Sequence, residues 1–373
     1  MSEHICYLPW VGLDISPQGD YKPCCKYENT ISTTLDNYLV SDELNNLKAS
    51  FLAGEKPAGC SRCWKDEDSG LVSKRQLDWR YLLKESVPNL TEFKSISLPF
   101  GNTCNLACRT CKSYASSRWL AEEKKINNHF PTKMFPHNKY YQDSKFLDKM
   151  KELCKNIELL EIPGGEPFIT GVEEQLEFLD HLIEHNANNI VLHYLTNATT
   201  MPDERFWDKW KHFKKVEIQL SIDGIGKVYE YTRWPGDWHE TYANIKEYQK
   251  HWKDNIQLSI SHTVSIFNVF YLDEFIEWCK GEGLPNPYLG LVSRPDQYSI
   301  TTLSKDTKDY LSKHLNTTNV VQYMNANDHS FLLDKTLNYV TMIDEHRKQK
   351  FSEYMPEFYN ILKRTCNVLG HLQ

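Results

Sequence analysis

The 373-residue sequence lacks the apolar segments of membrane and secreted proteins. No apolar run approaches the roughly 20 residues that span a bilayer. The first ten residues, MSEHICYLPW, contain neither a basic n-region nor an apolar h-region, so they do not resemble a signal peptide. We therefore expect a cytoplasmic protein without membrane association.

The sequence also lacks an excess of positive charge. Its 43 basic residues stand against 50 acidic ones, which gives a formal net charge of -7. Proteins that bind nucleic acids in general draw much of their affinity from neutralising phosphates, so we do not expect general nucleic-acid binding. The sequence shows no internal repeats and no low-complexity tract. Its hydrophobic content of 40% and aromatic content of 13% suffice for a sizeable core.

Cysteine, in contrast, is abundant. The chain has 11 cysteines, an odd number, and most of them cluster along the sequence. Structural disulfides are rare in the reducing cytoplasm. The clustering therefore indicates metal ligation rather than cross-linking.

The middle of the chain alternates strand-like and helix-like segments. Helical patterns lie at 172–185, 204–213 and 270–283. Six βα units in a row predict a parallel sheet with helices outside it, two units short of a complete TIM barrel. The six strand-like runs are short and rich in β-branched or apolar residues, and they cover residues 94–100, 157–163, 190–196, 216–222, 256–264 and 287–293.

The predicted fold is therefore α/β: a partial (β/α)6 TIM barrel with a small N-terminal cysteine-rich β-hairpin module and C-terminal helices. We place the cysteine-rich module at residues 1–92, the partial barrel at 93–295 and the helical extension at 296–373. A polar insert at about 125–145 is either a lid or partner surface, or a plain surface loop.

Three cysteines follow the first predicted strand directly. Residues 101–113, GNTCNLACRTCKS, contain Cys104, Cys108 and Cys111 in the spacing C-x3-C-x2-C. Loops after strands form the active sites of parallel α/β barrels. A cubane iron–sulfur cluster needs a ligand on each of four irons, so three thiolates leave one iron open. Zinc is the competing metal, but zinc sites usually combine C-x2-C pairs across a longer span.

This loop resembles the motif of radical S-adenosylmethionine (radical SAM) enzymes, so the expected barrel is of the radical SAM type. One position departs, because Thr110 precedes the third cysteine where relatives commonly have an aromatic residue near the adenine. The resemblance implies that SAM binds the open iron of a [4Fe-4S] cluster through its amino and carboxylate groups. One electron then cleaves SAM to a 5′-deoxyadenosyl radical, which abstracts a hydrogen atom from the substrate.

Later strand ends carry further residues that resemble this superfamily. Gly164, Gly165, Glu166 and Pro167 form a GGEP motif after the second strand. In relatives this motif contacts the methionyl amino group of SAM, and the alternative is a strand-ending turn. Asn197 follows the third strand in LTNATT, where relatives often have T-N-G. A turn-capping role for Asn197 stays open.

The fourth and fifth predicted strands add side chains at the same edge of the sheet. Ser221 and Asp223 alternate with apolar residues, so they face one side, and the resemblance implies contacts to ribose hydroxyls. Arg233, in RWPG, lies where relatives use a basic residue near the SAM carboxylate, although a surface salt bridge explains it equally well. His262 and Asn268 are weaker candidates, and we expect His262 to be a core residue.

The N-terminal cysteines form a second predicted site. GLDISPQGDYKPCC predicts a hairpin that brings Cys6 and Cys24 together, and Cys60 and Cys63 add a C-x2-C pair. The pattern C-x12-G-x4-C, from Cys6 through Gly19 to Cys24, resembles the auxiliary-cluster modules called SPASM and twitch domains. The resemblance implies one auxiliary [4Fe-4S] cluster on these four cysteines, with Cys25 as the alternative to Cys24. A structural zinc on the same thiolates is the competing interpretation.

Two functions follow from these sites. The first is a radical SAM enzyme with an unidentified substrate, for which we favour a peptide or protein over a nucleoside, a sugar or an aminoglycoside-like molecule. It implies SAM, two clusters and an electron donor such as flavodoxin or ferredoxin. The alternative is a non-catalytic binding or scaffold protein that zinc stabilises at both sites. Cys154, Cys279 and Cys366 have no assigned role, and Cys279 lies on an apolar helical face that indicates the core.

Overall fold

The computed structural model describes residues 4–31, 33–76, 92–126 and 139–365. Cys366 and most of the polar insert lie outside these residues. Within the described ranges, none of the helices is both long enough and apolar enough to cross a bilayer.

The strands form one eight-stranded sheet. Their order is β2-β1-β3-β4-β5-β6-β7-β8, and the pairs β1–β3, β3–β4, β4–β5 and β7–β8 are parallel. The last six strands are those that the sequence predicts, and they follow one another in chain order, which confirms the partial (β/α)6 barrel. The strands are β1 (Gly12–Ile15), β2 (Tyr21–Lys22), β3 (Ser95–Ser97), β4 (Leu159–Ile162), β5 (Val191–Thr196), β6 (Lys215–Ser221), β7 (Ile256–Val264) and β8 (Tyr288–Leu291).

The N-terminal hairpin is confirmed, and it also extends the sheet. Strands β1 and β2 pair antiparallel, and Gly19, at φ 88°, closes the turn between them by donating from its amide to the Ser16 carbonyl at 2.9 Å. All four residues of β1 are buried. Strand β1 therefore needs a partner on its other side, and β3 of the barrel provides it in parallel register. The sequence does not predict this pairing, because it joins segments about 80 residues apart.

Helices connect and follow the strands. The helix predicted at 172–185 occurs with those bounds, whereas the two predicted at 204–213 and 270–283 are a few residues shorter. The predicted C-terminal helices are also present. The helices are α1 (Leu8–Val11), α2 (Leu35–Leu39), α3 (Asp42–Leu52), α4 (Ser61–Asp68), α5 (Ser117–Ile126), α6 (Ser144–Leu153), α7 (Val172–His185), α8 (Glu204–Trp210), α9 (Gly226–Thr232), α10 (Trp238–Lys250), α11 (Leu272–Gly281), α12 (Lys305–His314), α13 (Thr318–Ala326), α14 (Leu333–Arg347), α15 (Phe351–Tyr354) and α16 (Pro356–Thr365).

The chain divides into two compact units by its internal contacts. Unit 1 comprises Met1–Asn105, Lys112–Gln219 and Tyr248–Gln257, and unit 2 comprises Leu106–Cys111, Leu220–Glu247 and Leu258–Gln373. Within unit 1 the N-terminal cysteine-rich segment thus groups with the first barrel strands. The predicted domains at 1–92, 93–295 and 296–373 follow the sequence rather than these contacts, and they stay a prediction.

The central strands show the alternation of a sheet with one packed face. Along β5, buried residues alternate with half-buried ones. In unit 1 the buried face meets α8 through aromatic rings, with Tyr194 lying 5.1 Å from Trp210 and 5.3 Å from Phe168 between ring centroids. Burying such large apolar rings favours the folded state. The opposite face of β6 and β7 carries half-buried polar side chains, among them Glu217, Ser221 and Ser261.

Candidate cluster and cofactor site

Cys104 lies at a polar junction in unit 1. The Asn197 side-chain amide donates to the Cys104 sulfur at 3.8 Å and to the Asn105 side-chain oxygen at 3.0 Å. The oxygen of the same Asn197 amide accepts from the backbone and the hydroxyl of Thr199. Asn197 therefore contacts a predicted cluster ligand directly, in addition to capping its own turn.

The glycines of the GGEP segment allow a close approach to the cysteine loop. The Gly165 amide donates to the Gly101 carbonyl at 3.3 Å, and the Glu166 amide donates to the Thr103 carbonyl at 2.8 Å. A Cβ on Gly165 would lie 2.0 Å from that Thr103 oxygen, so only glycine fits. Gly164 adopts φ 149°, which also favours glycine. The segment after β4 thus fixes the start of the loop that holds Cys104.

Glu166 is buried, and protein groups surround its carboxylate. One oxygen accepts from the Thr196 hydroxyl at 2.7 Å, and the other accepts from the Asn197 amide at 2.7 Å. The side chain thus ties the loop after β4 to the end of β5. Its predicted contact with a cationic amine stays a prediction, as do the SAM contacts of Gly164, Gly165 and Pro167.

Cys108 and Cys111 belong to unit 2, where Cys108 lies beside a buried ion pair. Arg233 pairs with the Asp223 carboxylate at 2.9 Å and reaches the Cys108 sulfur at 3.9 Å. Burial raises the pKa of the Cys108 thiol, and the positive charge of Arg233 opposes that rise. Arg233 is buried, so the surface salt bridge that the sequence left open does not describe it. A cation at this position stabilises a thiolate.

Asp223 has a structural role besides the predicted ribose contact. Its other carboxylate oxygen accepts from the Thr263 amide at 2.7 Å, and Asn268 donates to the Asp223 carbonyl at 3.1 Å. The carboxylate thus orients Arg233 and joins the end of β6 to β7. The predicted ribose contacts of Ser221 and Asp223 and the predicted carboxylate contact of Arg233 stay predictions.

His262 is a core residue, as the sequence favours. Its Nδ1 lies 2.9 Å from the Ile222 carbonyl, and its ring packs against Phe275 with 4.4 Å between centroids. Burial lowers the pKa of His262 to about 4, so the ring is neutral at physiological pH. Cys279 is likewise buried, which confirms its predicted core position.

The N-terminal cysteines gather in one hydrophobic cluster of unit 1. Cys6, Cys24 and Cys60 pack with Trp64 and Phe51, among others, and Cys63 is buried. Backbone contacts join the two halves, because the Glu28 amide donates to the Gly59 carbonyl at 2.9 Å. The hairpin segment and the C-x2-C segment are therefore adjacent, as the predicted four-thiolate site requires.

The thiols of this cluster influence one another. Burial raises the pKa of Cys60 to about 12, and a negative charge on Cys63 adds to the rise. Burial likewise raises the pKa of Cys24, with further contributions from Cys25, Cys6 and Cys63. Ionising these buried thiols costs free energy unless a positive charge compensates the thiolates. A bound metal provides that charge, because cysteine ligates metals as the thiolate. The donor set fits a metal group of high positive charge.

Cys25 faces a different environment from Cys24. Cys25 is exposed, whereas Cys24 is partly buried. Both line a small pocket together with Asp14, Lys74, Ser97 and Glu161. Three of these belong to a polar row across one face of the sheet, since the registers align Asp14 with Ser97, Ser97 with Glu161, and Glu161 with His193. Lys74 pairs with Glu161 at 3.1 Å. This arrangement favours Cys24 over Cys25 as a ligand, and the choice stays a prediction.

The residues fit the predicted groups in their chemistry. Among the described residues, no set of three or more His, Cys, Asp or Glu side chains is arranged to hold a single metal ion. A cubane cluster differs from a single ion, because each iron takes its own thiolate. The N–H donors to the Cys104 and Cys108 sulfurs suit thiolates rather than thiols, since a hydrogen bond to the charged form favours it.

Sequence reasoning missed several supporting residues. The Ser117 hydroxyl accepts from the Cys104 amide at 3.2 Å, and Thr196 and Thr199 hold Glu166 and Asn197. Arg109 lies within the C-x3-C-x2-C motif, at a position where the motif specifies no residue type. The sequence offers no signal for Thr196 and Arg109, because their partners come from segments about 30 and 235 residues away.

Comparison with known proteins identifies one domain of the chain. The family model described as "Radical SAM superfamily" matches residues 98–280, from the end of β3 to α11. The chain is 22% identical over 234 residues to a cysteine-type anaerobic sulfatase-maturating enzyme of Clostridium novyi, and the match covers 59% of each chain. The chain thus spans little more than half the length of this curated relative.

Solved structures show similar matches. The native anSMEcpe enzyme with bound AdoMet and Cp18Cys peptide is 18% identical, with a TM-score of 0.41 over 59% of this chain and 58% of that one. SuiB of Streptococcus suis bound to its precursor peptide SuiA is 14% identical, with a TM-score of 0.36 over 80% and 64% of the two chains.

Residues 98–280 thus carry a radical SAM domain. Domains of this superfamily bind SAM and a [4Fe-4S] cluster. The assignment of that cluster to Cys104, Cys108 and Cys111 stays a prediction.

Proposed function

We propose that this protein is a radical SAM enzyme that reductively cleaves SAM and abstracts a hydrogen atom from a peptide or protein substrate. The observation that carries the proposal is the attachment of the cysteine loop to the other predicted SAM-binding segments. The GGEP segment and Asn197 contact the loop at Thr103 and Cys104. Three separate motifs of the sequence, each of which resembles a part of one cofactor site, are therefore in contact.

The chain's own residues have distinct roles in this proposal. Cys104, Cys108 and Cys111 would hold the [4Fe-4S] cluster, which together with bound SAM supplies a 5′-deoxyadenosyl radical. Gly165 allows the backbone to approach closely, since any side chain there collides with Thr103. Arg233 offers a buried positive charge for a carboxylate, and Asp223 holds its guanidinium in place. Binding a reactive group in such fixed geometry is the contribution of the protein.

The peptide substrate has support of a different kind. The curated relative from Clostridium novyi is by its name a maturase of a protein, the sulfatase. The polar row of Asp14, Ser97, Glu161 and His193 presents hydrogen-bonding groups on one sheet face, which suits a substrate with polar groups.

The N-terminal cysteines complete the proposal. Cys6, Cys24, Cys60 and Cys63 would hold an auxiliary [4Fe-4S] cluster. Three of them pack in one hydrophobic cluster, and Cys63 is buried next in sequence to Trp64, a member of that cluster. Four thiolates would leave it no open iron, so we assign it to electron transfer or to anchoring this segment. An external donor such as flavodoxin or ferredoxin would supply the electron. The reducing cytoplasm is the compartment in which free thiols of this number persist.

Anaerobic reconstitution with iron and sulfide tests the enzyme. With dithionite and SAM we expect 5′-deoxyadenosine by chromatography, and we expect Cys108→Ala to abolish it. Cys279→Ala is the matched control, because Cys279 is a buried cysteine outside both sites, and it should keep the activity. A wild-type protein that holds zinc at both sites and releases no 5′-deoxyadenosine would establish the scaffold function instead.

A substrate screen tests the peptide. A mixture of synthetic peptides, a mixture of nucleosides and a mixture of aminosugars would each be added to the reconstituted protein. We expect only the peptides to raise the yield of 5′-deoxyadenosine and to show SAM-dependent mass changes. Stimulation by nucleosides or aminosugars alone would refute a peptide substrate while leaving the radical SAM assignment intact.

A further inference from the structure

Arg109, the first of the two residues between the second and third cysteine ligands, is held from the C-terminal part of the chain. Arg109 is 3% exposed. Its guanidinium forms an ion pair with Asp344 and donates to the Gln349 side-chain oxygen at 2.9 Å. It also lies 3.4 Å from the centroid of the Tyr231 ring. Asp344 belongs to the last turn of α14, and all of these residues are in unit 2.

The residue before the second cysteine ligand is held from the same turn. Arg347, the last residue of α14, donates to the Ala107 carbonyl at 2.7 Å, and its guanidinium lies 4.7 Å from the Trp234 ring centroid. The Ala107 amide donates to the Trp234 carbonyl at 2.7 Å. Cys108 therefore lies between two residues, Ala107 and Arg109, that the end of α14 contacts through its side chains. Hydrogen bonds to the backbone carbonyls of residues 231–234 hold the same two residues from another side.

A buried network of this kind requires a reason beyond stability. Desolvating a charged pair costs about as much as its attraction returns, and apolar residues of similar size often stabilise a fold as well or better. The planar guanidinium, however, imposes a defined geometry on its partners, which a flexible side chain does not. Asp344 also accepts from the Tyr231 hydroxyl at 3.0 Å, so its own orientation is fixed.

We propose that the C-terminal end of α14 is a positioning element for the cluster loop, in which Asp344 and Arg347 fix Arg109 and Ala107 and thereby orient Cys108 and Cys111. The inference rests on the proposed function, since it takes both cysteines as cluster ligands. It extends the cluster machinery beyond residues 98–280, the part that the family model matches. Asp344 and Arg347 act through Arg109 and Ala107, so we assign them as positioning residues.

Native-state proteolysis of the metal-free protein tests the contact directly. Trypsin cleaves after Arg109 only when that side chain leaves its buried site. We expect Asp344→Asn to increase the rate of this cut at least roughly tenfold, as followed by mass spectrometry of the fragments. Glu345→Gln, on the exposed side of the same helical turn, is the control and should leave the rate unchanged. Equal cleavage in Asp344→Asn and the wild type would overturn the inference.

A double variant separates positioning from folding. Arg109→Met with Asp344→Leu removes both charges together, so we expect its thermal unfolding to stay close to that of the wild type. After reconstitution we expect it to lose at least half of the change that SAM causes in the electron paramagnetic resonance signal. A stable double variant with the full change would overturn the inference, even if Asp344→Asn proved too unstable to study.

The two proposals fail in different ways. A wild-type protein whose spectrum does not respond to SAM would contradict the proposed function. A responsive wild type together with an equally responsive double variant would contradict only the role of α14.

Discussion

Asn197 donates a hydrogen bond from its side-chain amide to the sulfur of Cys104 at 3.8 Å, across 93 residues of sequence. Hydrogen bonds to cluster sulfurs raise the reduction potential, because they stabilise the added negative charge. We expect Asn197→Ala to lower the potential of the SAM-binding cluster by on the order of tens of millivolts. A redox titration followed by electron paramagnetic resonance measures the shift. Asn189→Ala, at an exposed position, is the control. An unchanged potential in Asn197→Ala would show that this hydrogen bond does not influence the reduction potential.

Gly165 determines how closely the GGEP segment approaches the cysteine loop. A methyl group there would lie 2.0 Å from the Thr103 carbonyl, which is a backbone atom that cannot move away without moving Cys104. We expect Gly165→Ala to bind about four irons fewer than the wild type after reconstitution. Gly281→Ala is the matched control, since a Cβ at that helical position meets nothing within 4 Å. Equal iron content in Gly165→Ala and Gly281→Ala would contradict the expected collision.

Cys24 and Cys25 are adjacent in sequence but differ in surroundings. Both line the pocket with Lys74 and Glu161, but Cys24 also packs against the hydrophobic cluster with Cys6 and Cys60, whereas Cys25 is exposed. We expect the wild type to bind about eight irons, Cys25→Ser about eight and Cys24→Ser about four. Iron and sulfide assays after anaerobic reconstitution distinguish these values. The reverse result would assign Cys25 as the auxiliary ligand, and zinc in the purified protein would favour a structural metal.

The ion pair of Lys74 with Glu161 makes stability depend on pH. Burial alone raises the pKa of the Glu161 carboxyl, but Lys74 and His193 outweigh it and lower the pKa from 4.5 to about 2. Between pH 2 and pH 4.5 the folded state therefore binds fewer protons than the unfolded state. This contribution of about 3 kcal/mol is complete above pH 4.5 and is lost as the pH falls toward 2.

Glu161→Gln tests this dependence. We expect the difference in free energy of unfolding between the wild type and Glu161→Gln to stay nearly constant above pH 4.5 and to shrink as the pH falls toward 3, as measured by urea denaturation of the metal-free protein. Glu158→Gln is the control, because Glu158 neighbours the same strand but is half exposed. A difference that stays constant from pH 4.5 to pH 3 would show that the ion pair does not cause the pH dependence of stability.

The order of elements in the barrel followed from the sequence because local patterns encode it. Alternating apolar runs gave the six strands, and the helix Val172–His185 has the predicted bounds because its buried residues recur at helical spacing. The cysteine loop was equally visible, since ligand spacing is a local property of the chain. The hairpin turn at Gly19 is another local feature, as its positive φ requires a residue such as glycine.

Other features were not visible because they depend on contacts between distant segments. The pairing of β1 with β3 and the polar row from Asp14 to His193 arise only when the strands take their register. The sequence assigned Glu166 to a ligand contact, but it could not show that Thr196 and Asn197 already bind its carboxylate. The C-terminal helices carried no chemical motif, and only folding brings Asp344 to Arg109.

The sequence by itself determined the class of chemistry, because the number and spacing of Cys104, Cys108 and Cys111 depend on covalent connectivity alone. Only the tertiary structure decided how those cysteines are oriented, since Asn197, Arg233 and the end of α14 reach the loop from segments about 90 to 240 residues away. Hydrogen bonds and buried ion pairs require distances of a few ångströms. The packing of the whole chain sets such distances, and no local pattern does.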